Sequence, residues 1–112
     1  LWPKNAICAS MGAFCCLGRG SDVPEAVAKL AVQPSPSPEL GEGSIWWASK
    51  KKLLWLDILG CRLFVFDPCT NENIEFNLKA HAPNVSSVVP IEGSDEVALT
   101  LTDGFATFNL ET

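Results

Sequence analysis

The sequence predicts an all-β fold of short antiparallel strands, and three observations carry that prediction. From Ser44 onward, short runs rich in Ile, Val, Trp, Phe and Leu alternate with polar turns. The turn chemistry is strong at Asp67-Pro68-Cys69-Thr70-Asn71, where proline sets φ and Asp/Asn side chains bond local backbone. It is strong again at Asp103-Gly104, a hairpin signal between two apolar runs. Finally, the strand-and-turn rhythm repeats along the chain.

The elements follow in order. Residues 1–38 are expected to be an N-terminal extension and spacer. Lys4 precedes an apolar, small-residue run from Ala6 to Leu17. This run is too short to span a membrane, which takes about 20 apolar residues. It is expected to lie outside the packed domain, the alternative being the core of a secretory signal. Val27–Val32 is read as a strand or one helical turn. The Pro34-Ser35-Pro36-Ser37-Pro38 stretch is read as an extended spacer, because alternating proline removes backbone donors. Four strands are expected at Ser44–Ala48, Leu53–Ile58, Arg62–Phe66 and Ile74–Leu78. Three more are expected at Val85–Ile91, Glu96–Leu101 and Phe105–Leu110.

A shift of 42 positions lays the second group over the first, putting Phe66 on Phe108 and Asp67 on Asn109. A unit of about 40–45 residues with four strands is the period of a propeller blade. The fold expected for residues 39–112 is therefore a β-propeller fragment of about two blades. Blades pack both faces against neighbours, so two alone would leave apolar side chains wet. Each such side chain forgoes about 1.5–3 kcal/mol, and the chain by itself is expected to be marginally stable.

Composition narrows the function. The 112 residues are 47% hydrophobic and 19% charged, with a net charge of −5. This is a globular composition, and its acidity disfavours nucleic acid. Lys50-Lys51-Lys52 is read as a solvated turn. The five cysteines and single histidine make no zinc-finger set, and Cys61 and Cys69 stand at opposite ends of one strand, too far apart to bond. Reduced thiols favour a cytoplasmic location, with secretion as the alternative.

Leu40-Gly41-Glu42-Gly43-Ser44-Ile45-Trp46 resembles the opening motif of the family of gluconolactonases, regucalcin (senescence marker protein) and the luciferin-regenerating enzyme. Leu54-Trp55-Leu56-Asp57-Ile58 and Arg62-Leu63-Phe64-Val65-Phe66-Asp67-Pro68 resemble the next two strands. Val85-Ser86-Ser87-Val88-Val89 and Thr102-Asp103-Gly104-Phe105 resemble parts of the second blade. The resemblance runs from about Leu40 to Thr112 and implies the N-terminal part of a six-bladed propeller, with further blades expected. It also implies one divalent metal ion (calcium, zinc, magnesium or manganese), with Glu42 as a ligand, and a small sugar lactone as substrate. The family's remaining ligands and its catalytic base, an asparagine and an aspartate, belong to later blades and have no counterpart here. Ser44 departs from the family's usual proline.

The resemblance implies a metal-dependent lactone hydrolase. The alternatives are a calcium-binding regulatory propeller without catalysis and an inactive truncated product. Gly41 and Gly43 are expected to turn the backbone sharply before the innermost strand, setting the Glu42 carboxylate at a channel mouth. A hard oxygen ligand suits these cations. His81 is read as a loop residue and Asp57 as bonding local backbone. Trp46, Trp47 and Trp55 are read as blade core, and Asp103 as a turn former. Ser86 and Ser87 are not expected to be nucleophiles, because no base accompanies them.

Overall fold

The computed structural model describes residues 26–111. The expectations for the first twenty residues therefore lie outside the described residues. Seven strands form: β1 Gly41–Trp47, β2 Lys52–Asp57, β3 Arg62–Asp67, β4 Glu72–Asn77, β5 Val85–Pro90, β6 Glu96–Leu101 and β7 Gly104–Asn109. β1 to β4 make one antiparallel sheet in sequence order, and β5 to β7 make a second. This is the expected all-β architecture, about two blades of a propeller, the first with four strands and the second with three. Within the described residues, Val27–Val32 is neither strand nor helical turn. Its Val27 and Leu30 stand 83% and 77% exposed, so no packed face rewards regular structure there.

Each run becomes a strand because its side chains divide cleanly between two faces. On one face, Leu54 and Leu56 of β2 stand opposite Val65 and Leu63 of β3. With Trp47 they pack against Val85, Val88, Val97 and Leu99 of the second sheet. Phe76 and Phe108 close this inter-sheet core edge-to-face, with ring centroids 5.5 Å apart. Lys50 adds an ion pair across the same junction, from the β1–β2 turn to Asp95 and Glu111. The lysine run is thus not simply solvated, since its first member ties the sheets together.

The first sheet's other face carries Leu53, Trp55, Phe64 and Phe66. Trp55 stacks on Phe64 with centroids 4.1 Å apart, and its indole N–H donates to Asn73 Oδ1 at 3.1 Å. No second sheet covers this face among the described residues, yet Phe64 is 0% and Phe66 2% exposed. The second sheet's outer face is more open. Phe105 is 87% exposed and Val89 48%.

The repeat is real, but one offset does not describe it. β3 and β7 differ by 42 positions, whereas β2 and β6 differ by 44. The four-residue turn at 58–61 has a two-residue counterpart, Thr102-Asp103, and this shortening accounts for the difference. All three turns of the first sheet end on a non-glycine residue with positive φ: Lys51 at 54°, Cys61 at 52° and Asn71 at 61°. The Cys61 thiol is buried and free, and it donates to Ala82 O at 3.2 Å. Cys69 is also free.

The β2–β3 turn is organised by a carboxylate. Asp57, the last residue of β2, is fully buried. Its Oδ1 accepts from the backbone N–H groups of Gly60 at 3.1 Å, Glu39 at 3.1 Å and Leu40 at 2.9 Å. Its Oδ2 accepts from Arg62 Nε at 3.1 Å and Nη2 at 2.9 Å. The expectation of local backbone bonding covers only one part of this, the bond to Gly60. A β-carbon on Gly60 would lie 2.7 Å from Asp57 Cγ and closer still to Oδ2. Glycine is required here by proximity. Gly60→Ala is therefore expected to destabilise the chain by about 2–4 kcal/mol, in the range of strained buried substitutions. Urea denaturation of the two proteins measures this, with Gly41→Ala, where a β-carbon meets only ordinary contacts, as the comparison.

Candidate functional site

Glu42 is the second residue of β1, an edge strand of the first sheet. It pairs with Leu56 of β2, and the ladder then slips before resuming at Ile45 opposite Leu54. Gly43 and Ser44 form this bulge. Gly43 has a φ of +68°, and a β-carbon there would press to 3.2 Å from Leu56 Cδ1. Both constraints explain the glycine, since a bulge demands positive φ and close backbone approach. The sharp turn expected ahead of the strand is thus a bulge within it, and Glu42 sits inside the ladder. The physical reason is that glycine at a bulge lets the strand absorb extra residues without ending.

Glu42 and Ser44 line an open cavity of about 340 Å³ whose other walls are Gly41, Leu53, Trp55, Phe66, Ala31 and Val32. The walls are mainly apolar, and Glu42 is the acidic group among them. Among the described residues, no group of three or more His, Cys, Asp or Glu is placed to hold a metal ion. Glu42 alone does not make a metal centre, and the described residues bring one carboxylate to this place.

The remaining candidates fall outside this cavity. His81 lies in the turn after Leu78, where its backbone N–H donates to Leu78 O at 2.9 Å. Asp103 is an exposed turn residue. Ser87 Oγ donates to Thr100 Oγ1 at 2.7 Å, and Ser86 Oγ to Thr100 O at 3.3 Å. Both serines support the β5–β6 pairing. Trp47 is core at 3% exposure, and Trp55 is half-buried on the cavity wall.

Arg62 is the charged residue that sequence reasoning missed. It faces Asp57 directly across the β2–β3 register. Besides Asp57 it bonds Glu75 Oε1 at 2.7 Å and Pro36 O at 3.1 Å, and its guanidinium lies 5.0 Å from the Phe64 ring centroid. The signal available was the Asp57–Arg62 spacing, two opposite charges closing one tight hairpin.

Burial alone would raise the Asp57 pKa, but the bonds from Leu40, Arg62, Gly60 and Glu39 outweigh it and hold the group below its ordinary 3.8. The folded state therefore favours ionised Asp57. That preference stabilises the fold above the unfolded pKa and is lost as pH falls from about 4 through the lower folded value. Wild-type unfolding midpoints should thus drop on acidification below about pH 4. Asp57→Asn should be less stable at neutral pH, by about 3 kcal/mol for a broken buried pair, and flatter over the acid range. Urea titrations from about pH 2.5 to neutrality measure both.

With the blades and the Glu42 motif in place, comparison with known proteins is decisive. The SMP-30/Gluconolactonase/LRE-like region matches residues 40–112. The chain belongs to this family. A Bacillus subtilis (strain 168) protein named "Putative sugar lactone lactonase YvrE" is 32% identical over 71 residues, covering 63% of this chain. The matched stretch spans 23% of that relative's length. No solved structure gives a significant match.

Proposed function

We propose that this chain supplies the first two blades of a sugar-lactone hydrolase and that Glu42 donates one oxygen ligand to a divalent cation. The observation that carries this reading is the position of Glu42. It is a carboxylate beside a bulge of an edge strand, lining a cavity. A bulge at a sheet edge re-aims side chains, and such irregularities gather beside functional sites. The family and the named relative support lactones as the substrate class.

The described residues hold one carboxylate at this place, and hard cations take about six or more oxygens. The other ligands and the general base are assigned by this proposal to chain beyond residue 112. The second sheet's outer face supports the same view, because Phe105 and Val89 stand ready for a further sheet. No catalytic step is assigned to residues 26–111.

Two measurements test the reading. In the complete lactonase, Glu42→Gln should weaken cation affinity by about tenfold or more, because glutamine keeps the shape and removes the charge. Lactone hydrolysis should fall with it. Isothermal calorimetry and a pH-stat lactone assay report the two effects. The 112-residue chain alone should bind calcium or manganese weakly and turn over no lactone. Stoichiometric tight binding by the short chain, or an unaffected Glu42→Gln enzyme, would place the site elsewhere.

A further inference from the structure

Glu42 has no side-chain partner to aim it. Among the described residues, no hydrogen bond or ion pair reaches its carboxylate, and the residue is exposed. Its direction is therefore set by the backbone on either side. On the C-terminal side the ladder slips at once, through Gly43 and Ser44, before β1 pairs again at Ile45. On the N-terminal side Gly41 adds little stiffness, because glycine has the widest backbone freedom. The nearest firm anchor is Leu40. Its N–H donates to Asp57 Oδ1 at 2.9 Å, and its carbonyl accepts from the Ile58 N–H at 2.9 Å. The Glu39 N–H donates to the same Oδ1 at 3.1 Å.

We propose that Asp57 is a positioning residue for Glu42: its carboxylate fixes Leu40, and Leu40 fixes the first residues of β1, which aim the Glu42 carboxylate. The inference rests on the reading of Glu42 as a cation ligand. Asp57 is suited to this task because it is itself held on every side. It is fully buried, Arg62 Nε and Nη2 grip its Oδ2, and the Gly60 N–H holds Oδ1 from the turn. Arg62 also donates to Pro36 O at 3.1 Å, so the same pair grips the chain leading into β1 at a second place. The second blade gives an internal comparison. There the backbone bond recurs, from Thr102 N–H to Asn84 O at 3.2 Å. The place of Asp57 is taken by Leu101, however, and the Asn84 N–H donates to the exposed Thr102 hydroxyl at 3.2 Å. That blade carries Ser86 and Ser87 at its slip, with no carboxylate to aim. The buried clamp thus accompanies the one inner strand that presents an acid. A ligand already aimed loses less freedom when it binds, which raises affinity.

The test removes the clamp from each side and measures manganese affinity of the complete lactonase by calorimetry. Asp57→Ala with Arg62→Gln removes the acceptor and both buried charges, and should weaken affinity by about tenfold. Asp57→Asn with Arg62→Gln loses the same charges but keeps an acceptor at Oδ1, and should recover most of that loss. Leu40→Pro removes the donor and leaves the buried pair intact, so it reads the same bond even where the alanine variant fails to fold. It should weaken affinity to the same extent. In a Glu42→Gln background Leu40→Pro should cause no further loss, because it acts through the side chain already replaced. A clamp that serves stability alone would weaken both backgrounds alike. In the 112-residue chain, Leu40→Pro should quicken hydrogen exchange at residues 41–43 and leave residues 63–66 unchanged. Full affinity in Leu40→Pro, losses that add to that of Glu42→Gln, or an asparagine variant no tighter than the alanine one would overturn the proposal while leaving Glu42 a ligand. An unaffected Glu42→Gln enzyme would remove the ligand reading itself, and this inference with it.

Discussion

The bond between Asp57 and Arg62 is the interaction on which the rest of this structure depends. Both groups are almost fully buried, and a buried ion pair repays its desolvation only when every remaining lone pair and proton is used. Here the carboxylate takes three backbone N–H groups and two guanidinium donors, while the guanidinium also reaches Glu75 and Pro36. One pair thereby closes the β2–β3 hairpin, fixes where β1 begins and reaches β4. Replacing Arg62 leaves Asp57 without a counter-charge inside the blade, and replacing Asp57 leaves Arg62 only the partly exposed Glu75. Gly60 is part of the same device, since its missing side chain gives the carboxylate its place.

What is legible in the sequence is local. Alternation in Arg62–Phe66, Asp67-Pro68 after it and Asp103-Gly104 locate strands and turns to within a few residues, because each signal is settled by near neighbours. The pattern places the start of β1 at Ser44, whereas the strand begins at Gly41. Glycines at 41 and 43 weaken a strand signal, and only pairing with β2 shows that the strand runs through them. The single 42-residue offset fails for a similar reason, as a shortened turn moves everything behind it. Glu42 is legible as a residue of interest through its motif, whereas the cavity around it is not. Ala31 and Val32 reach that cavity from a segment whose pattern promises a strand or a helical turn. Asp57 shows the limit best. Its bond to Gly60 spans three residues, while those to Leu40 and Glu39 join segments 17 and 18 residues apart.

The two blades share a scaffold but differ in what they present. In the ladder, Glu42 stands opposite Leu56, and Ser87 stands opposite Thr100 beside the matching slip in the second sheet. A carboxylate in one blade is thus a hydroxyl in the next, bonded to its own sheet. The blade repeats its strand pairing while leaving this inner-strand position free to differ.

Both first strands, β1 and β5, carry a ladder slip near their beginning, whereas β2, β3 and β4 pair with one another without interruption. A slip is slack in the chain. It allows residues to be gained, lost or exchanged on the inner strand while the outer strands keep their partners. Each slip takes up one extra residue: Gly43-Ser44 stand against Trp55 alone in the first blade, and Ser86 is the surplus between Val85 and Ser87 in the second. New chemistry can therefore be tried at the inner edge without disturbing the hydrophobic layer that holds neighbouring blades together.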